Sequence, residues 1–347
     1  VRTARAQVWR GHGTVEIAEV PLPTPGFGEV LVAVRLATVC GSDLHTVLGH
    51  RTSPCPGVLG HEAVGDVIAV GPGTPQYLNG SPIRTGDRIV WGVTVACRSC
   101  DRCRAGRTAK CRSVRKVGHE PFDGTWALSG SYASHILLAA GAAAVKLPHG
   151  LVDAVAAPAA CATATVMAAA EAAGPLTGQR VVVSGAGMLG LTAAALASEA
   201  DADEVIIIDP DTDRRQSALA FGATRVASPT DAGLAEIDVA FELSGAATAV
   251  ECLLGALAIG GRLVLAGSVS PGPRVAFDPE QLVRRWATVT GVHNYEPRHL
   301  QQAIDFLHRT SAVRPWASLV ADPLPLEALN ELLVARDGGP PRTAVKP

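Results

Sequence analysis

The six residues Gly185-Ala186-Gly187-Met188-Leu189-Gly190 follow a strand-like run, Val181-Val182-Val183, and lead into a helix-forming stretch, Leu191 to Ala200. Alone, Gly-x-Gly-x-x-Gly is a weak signal; between a strand and a helix it commits the chain to one kind of turn. Gly185 makes the turn tight, Gly187 lets the main chain approach a pyrophosphate, and Gly190 lets helix and strand pack closely, so that Gly185, Gly187, Met188, Leu189 and Gly190 are the candidate coenzyme-binding residues of this turn. The helix N-terminus then faces negative charge. An acid about 20 residues further on is the expected partner of the ribose hydroxyls. Asp209 stands there, at the end of Val205-Ile206-Ile207-Ile208. A carboxylate at that place repels the extra phosphate of NADP, so the pattern points to NAD; otherwise Asp209 is a helix-capping or turn residue.

The same texture continues on both sides of this turn. Val181–Val183, Val205–Ile208, Arg225–Ala227, Asp238–Leu243, Arg262–Leu265 and Thr288–Thr290 are six strand candidates separated by helix-length segments. Strands alternating with helices predict a doubly wound parallel sheet. Upstream the pattern differs: from Val15 to about Val70, short Val-rich stretches are broken by Pro21, Pro23, Pro25, Gly26 and Gly28. Further strands are expected over Arg84–Val90 and Ser131–Leu138, with little helix. An alanine-rich helix is expected over Ala154–Ala173, and another over His299–Arg309. The division is therefore placed at 1–154 plus 293–347 for a β-rich domain and 155–292 for a dinucleotide-binding domain of Rossmann type.

A chain of 347 residues suits two such domains. Thirty Lys and Arg against 32 Asp and Glu leave no excess charge that calls for a nucleic acid or an acidic partner. No apolar run has the length of a membrane helix, and Val1 to Arg10 lack the features of a secretory signal, so a cytoplasmic location is expected. Eight cysteines in such a chain suggest metal rather than disulfides.

Four of them, Cys97, Cys100, Cys103 and Cys111, form C-x2-C-x2-C-x7-C. Four close thiolates make a closed tetrahedral zinc site of the structural type. An iron–sulfur cluster is the competing reading, but the spacing departs from ferredoxin runs and no Cys-Pro follows. The basic residues in the segment, Arg98, Arg102, Arg104, Arg107, Lys110 and Arg112, raise a nucleic-acid reading; against it, no aromatic alternates with them. A second set is dispersed: Cys40 in Cys-Gly-Ser-Asp-Leu-His, His61 in Gly-His-Glu, and Cys161. Two thiolates and an imidazole match an open, catalytic zinc with one position left for substrate. Cys55 and Cys252 read as ordinary thiols.

These residues resemble those of the zinc-containing medium-chain alcohol dehydrogenases over nearly the whole chain. Gly60-His61-Glu62-x-x-Gly65-x5-Gly71 matches the family's zinc signature, with Thr74 departing from it at the end. The resemblance implies a GroES-like catalytic domain, two zinc ions per chain and NAD. It implies Cys40, His61 and Cys161 as catalytic ligands, Glu62 as an alternating ligand, and Asp43 as the residue that orients His61. Ser42 and His45 would relay the proton, and Thr165 and Leu189 would pack on the nicotinamide. Arg214 and Arg342 would hold the adenosine ribose and the pyrophosphate. The backbone at Ala266, Val292 and Asn294 would hold the carboxamide. Gly41 occupies a position that is basic in many members. Two stretches, Ala127–Gly130 and Gly291–Tyr295, are similar to a bacterial subgroup associated with phosphonate catabolism.

The expected activity is transfer of a hydride between an alcohol and NAD, forming an aldehyde or ketone, in a homodimer or homotetramer. The same residues would support a zinc carbonyl reductase acting in reverse. A zinc-stabilised binding protein would be expected to lack Ser42, His45 or a catalytic ligand, and none is missing. Val93, Thr94 and Trp126 are candidate substrate-pocket walls.

Overall fold

The computed structural model describes residues 2–11, 13–231, 233–334 and 338–347. It divides into two compact units: Val1–Ala164 with Asn294–Ser311 and Trp316–Pro347, and Thr165–His293 with Ala312–Pro315.

The first unit is built on antiparallel strands. Val30–Thr38 lies at its centre, paired with Glu62–Val70, His135–Leu138 and Ala344–Lys346. Arg88–Trp91 and Ala144–Lys146 extend the sheet beyond Glu62–Val70. Almost all of Val30–Thr38 is buried, which explains why its sequence is largely apolar rather than alternating, interrupted by the exposed Arg35. Thr3–Trp9, Val15–Pro21 and Gly57–Val58 form a small separate sheet. Ile89 and Trp91 on Arg88–Trp91, Ile136 on His135–Leu138 and the nearby Tyr132 are fully buried. Where little helix was expected, a short helix covers Asp101–Arg104 and a longer one covers Gly41–Val47, whose first turn carries Asp43. Seven residues carry too little periodicity to reveal a helix; what starts Gly41–Val47 is reciprocal bonding between Cys40 and Asp43.

In the second unit all six expected strands form, in the order Arg225–Ala227, Glu204–Ile208, Arg180–Ser184, Ile237–Glu242, Leu257–Leu265, Thr288–Gly291. Every pair is parallel. Chain order reverses between Arg180–Ser184 and Ile237–Glu242, and a doubly wound sheet binds its ligand outside the carboxyl ends of the strands at such a switch point.

The helix expected over Ala154–Ala173 is broken. Asp153–Ala156 is helical, Ala157–Ala160 is a 3-10 turn, and Ala162–Ala173 is a second helix. Pro158 offers no N–H to continue the first piece, and Cys161 leaves helical geometry at φ −127°. Among the described residues no single helix is long and apolar enough to cross a membrane.

Candidate active site and metal centres

Three segments of the first unit converge on one group of ligand atoms. Cys40 ends the run after Val30–Thr38, His61 precedes Glu62–Val70, and Cys161 sits at the break between helices. Their ligand atoms all lie within 4.8 Å of one another. The Cys40 and Cys161 sulfurs are 4.0 Å apart, twice a disulfide length of about 2 Å and close to the ~3.8 Å edge of a tetrahedron with zinc–sulfur bonds of about 2.3 Å. Cys40 and His61 are buried. Hydrogen bonding from Cys161 holds the Cys40 thiol well below the usual range despite its burial. Two soft sulfurs and one imidazole, enclosed and aimed at a common point, fit zinc.

The residues behind His61 set its orientation. Asp43 Oδ1 lies 3.5 Å from His61 Nδ1, which leaves Nε2 for a metal. Asp43 is itself fixed, since Oδ2 accepts from the Cys40 N–H at 3.0 Å and from the Tyr132 hydroxyl at 2.8 Å. Burial works against a charged His61, but Asp43 and Cys40 raise its pKa well above the ordinary value. Gly60 is required beside it: its φ is +91°, and a Cβ there would lie 2.8 Å from the Tyr132 ring. Ser42 Oγ is 3.4 Å from His61 Nε2, the nitrogen left for a metal. His45 lies one turn further along the same helix, with Nδ1 buried and unpartnered.

Glu62 does not join the three-ligand group. Thr38 Oγ1 donates to it at 2.7 Å, and Arg342 donates to both of its oxygens, from Nε at 2.8 Å and Nη2 at 2.9 Å. Burial pushes the Glu62 carboxyl up to about 7 against the pull of Arg342. Arg342, expected at a pyrophosphate, is thus placed against Glu62, with Nη2 3.6 Å from Cys40 Sγ.

Cys97, Cys100, Cys103 and Cys111 form a second group of the same kind. Cys100 and Cys103 are 3.5 Å apart, and Cys100 and Cys111 4.0 Å. The Ser99 hydroxyl and the Cys100 N–H donate to Cys97 Sγ, and its thiol is pulled down to about 5, chiefly by Ser99. Donors on a sulfur favour the thiolate that zinc needs. The arginines of this lobe bind it together: Arg112 grips Asp101 with two bonds, Arg102 donates to the Lys110 carbonyl and Arg104 to that of Ser99.

In the second unit, Gly185 has φ +100° and a Cβ at Gly190 would lie 1.7 Å from the Gly185 oxygen. A Cβ at Gly187 would meet nothing within 4 Å, so its bareness serves no internal packing. Asp209 is buried; Oδ2 accepts from the Ala186 N–H at 2.7 Å and Oδ1 from the Asp211 N–H at 2.9 Å. A cavity of about 580 Å³ is lined by Gly185, Gly187, Asp209, Arg214, Leu243 and Cys252. A backbone that no side chain covers, with an acid at its edge, fits a dinucleotide. Met188 and Leu189 open the helix Met188–Glu199, and Thr165 lies on Ala162–Ala173. The Ala266 and Val292 N–H groups bond to the Glu242 and Leu265 carbonyls, so what they can offer a carboxamide is oxygen. Asn294, in the first unit, has φ +60° and an unpartnered buried Nδ2.

Several residues at the site were missed by sequence reasoning. Tyr132 and Thr38 hold Asp43 and Glu62, and the Tyr295 hydroxyl bonds the Val93 N–H and the Ala160 carbonyl, next to Cys161. No spacing rule links them to the ligands, because each reaches the site from a distant strand or loop. Trp126, a candidate pocket wall, is instead a core residue: it is buried, its Nε1 donates to the Leu137 carbonyl, and Arg115 covers its ring at 4.2 Å.

Comparison with known proteins agrees with this geometry. Residues 26–149 match the alcohol dehydrogenase GroES-like domain and residues 189–309 match the zinc-binding dehydrogenase domain. The L-threonine 3-dehydrogenase of Edwardsiella ictaluri is 32% identical over 297 residues, 81% of each chain. An alcohol dehydrogenase of Thermotoga maritima superposes over 100% of both chains with TM-score 0.92 at 26% identity. A zinc-binding dehydrogenase of Sinorhizobium meliloti, solved with NADP, covers 100% of both chains with TM-score 0.88 at 25% identity. The chain belongs to the zinc-dependent medium-chain alcohol dehydrogenase family and is an oxidoreductase that uses zinc and a nicotinamide coenzyme.

Proposed function

We propose that this protein oxidises a small alcohol to the corresponding aldehyde or ketone with NAD. The observation that carries the reading is the enclosed Cys40–His61–Cys161 group, backed by Asp43, with a serine hydroxyl beside it. Cys40, His61 and Cys161 would hold zinc, which would supply the Lewis acidity that makes an alcohol hydroxyl acidic near neutral pH. The chain's own residues do the rest. Asp43 keeps His61 in the tautomer whose Nε2 can ligate. Ser42 Oγ takes the hydroxyl proton from the substrate, and His45, on the same helix, carries it toward water. Arg342 balances Glu62, so that the buried carboxylate adds no net charge against the thiolates.

In the second unit Gly187 leaves the main chain open to the pyrophosphate, and Asp209 accepts from the ribose hydroxyls and disfavours the phosphate of NADP. Thr165 and Leu189 pack on the nicotinamide, Arg214 faces the adenosine ribose, and Ala266 and Val292 hold the carboxamide. Exposed Ile259, Val283, Trp286 and Val289 lie on and beside the edge strand Thr288–Gly291 and suit pairing with a second copy in a homodimer or homotetramer.

The test is NADH formation from a panel of alcohols by wild type and by Ser42→Ala. The substitution should lower kcat by about 100-fold or more, the amount such proton-transfer groups supply, while both zinc ions stay bound. Full turnover with zinc retained would remove Ser42 from the proton path.

A further inference from the structure

Beside the catalytic ligands the first unit carries polar groups that the ligand set does not use. The His119 ring lies 5.4 Å from the His61 ring between centroids, tilted by 34°. Among the described residues neither of its ring nitrogens has a hydrogen-bond partner, although the residue is partly buried. An imidazole in that position offers one donor and one acceptor to whatever lies against it.

Two cations share this rim. The His119 N–H bonds to the Lys116 carbonyl at 3.1 Å, a turn that brings Lys116 back beside it. The Arg51 N–H bonds to the His45 carbonyl at 3.1 Å, where the helix carrying Ser42 and His45 ends. Both are near enough to His119 to act on it by charge, and burial, Arg51 and Lys110 together depress the pKa of Lys116. Among the described residues neither Arg51 nor Lys116 has a carboxylate in ion-pair range. Glu120, the acid nearest in sequence, is engaged by the Lys116 N–H at 2.7 Å and by Arg115 at 3.6 Å. By contrast Arg35 and Arg88 share Asp153 and Arg112 grips Asp101, while Arg102 and Arg104, which donate to carbonyls, are exposed to water. Half-buried cations that repel one another and lack a counter-charge favour binding of an anion.

We propose that Lys116, Arg51 and His119 form a subsite for the anionic end of the substrate, so that the alcohol oxidised is a short hydroxyalkyl anion. This rests on the dehydrogenase reading above. The charged group is a carboxylate or a phosphoryl group, held while the hydroxyl reaches the Cys40–His61–Cys161 ligands. In the reaction the carbinol C–H bond breaks, its electron pair passes as hydride to NAD+, and the O–H proton leaves through Ser42. From 3-hydroxybutanoate the products are 3-oxobutanoate, NADH and a proton. An ammonium group on the substrate would add like charge to a rim where Glu120 is already engaged, which disfavours amino alcohols and amino acids.

The test compares 3-hydroxybutanoate, 2-butanol, L-threonine and 2-hydroxyethyl phosphate on the zinc-loaded enzyme. It adds calorimetric binding of butanoate and ethyl phosphate, which carry the charge without the hydroxyl. We expect kcat/KM at least about 10-fold higher for the better anionic alcohol than for 2-butanol, with L-threonine poorer than 3-hydroxybutanoate, and a preference that shrinks as salt is added. The carboxylate and phosphate arms decide between the two charged groups. Lys116→Gln and Arg51→Gln should each cut the anion-to-neutral ratio about 10-fold and weaken binding of the preferred anion by a similar factor. If 2-butanol is oxidised at least as well as both anions, and neither variant alters butanoate or ethyl phosphate binding, the subsite is overturned and the dehydrogenase reading stands. If an anion binds and both variants weaken it while no alcohol is oxidised, the subsite stands and the dehydrogenase reading falls.

Discussion

Arg342 closes on Glu62 with two hydrogen bonds, Nε at 2.8 Å and Nη2 at 2.9 Å, and both side chains are buried behind the catalytic ligands. The pair joins the strand that follows His61 to the C-terminal segment, and it places a positive charge 3.6 Å from Cys40 Sγ. A buried ion pair contributes little relative to a well-packed apolar pair, but removing one partner strands the other charge. Arg342→Met should therefore destabilise the protein by about 3–5 kcal/mol, and Glu62→Gln in the same chain should recover part of that loss. Urea unfolding of the single and double variants measures both. A double variant no more stable than Arg342→Met would show that the pair is not coupled.

Cys111 is the buried member of the four-cysteine lobe. Cys111→Ser should reduce zinc from two ions per chain to one and destabilise the protein by more than about 4 kcal/mol, the range reached when a structural metal is lost. Elemental analysis and thermal melts check it. Two zinc ions per chain with an unchanged melting temperature would mean that the lobe does not depend on Cys111 for its metal.

Asp209 does two things at once. Its carboxylate accepts the Ala186 N–H inside the glycine-rich turn, and it borders the cavity of the second unit. Asp209→Gly should shift the NAD-to-NADP ratio of kcat/KM toward NADP by about 100-fold, equivalent to about 3 kcal/mol. Because the turn loses an acceptor, kcat/KM for NAD should also fall. A ratio that does not move would show that Asp209 acts only on the turn.

Asp87 supplies a pH dependence away from any metal. Although burial works against it, hydrogen bonds from Lys146 and Tyr77 hold its pKa below the ordinary carboxylate value. A depressed folded-state pKa stabilises above the unfolded value of about 3.9 and loses that contribution as pH falls through the folded value. Asp87→Asn should cost about 1–3 kcal/mol at pH 7, and the gap from wild type should close below about pH 4. Melting curves across pH 3 to 7 show the trend; a gap that stays constant would mean that the ionised form is not what Asp87 contributes.

The sequence by itself determined what is local. Gly185-x-Gly187-x-x-Gly190, the six strands of the second unit and the four cysteines within one short segment are each set by spacing along a single stretch of backbone. Periodicity and turn chemistry encode that geometry directly, and the parallel sheet followed from alternation. The helix Gly41–Val47 and the break at Cys161 were hidden, the first by its shortness and the second because an alanine-rich run hides where Pro158 and a ligand interrupt it. The tertiary structure alone decided which distant side chains meet. Glu62 faces Arg342 because Ala344–Lys346 pairs with Val30–Thr38, Asp43 meets Tyr132 across the sheet, and Trp126 turns inward to the Leu137 carbonyl. Lys116 and Arg51 come to one rim beside His119 in the same way. Such contacts depend on strand order and register between segments far apart in the chain, and no pattern within any one segment carries that information.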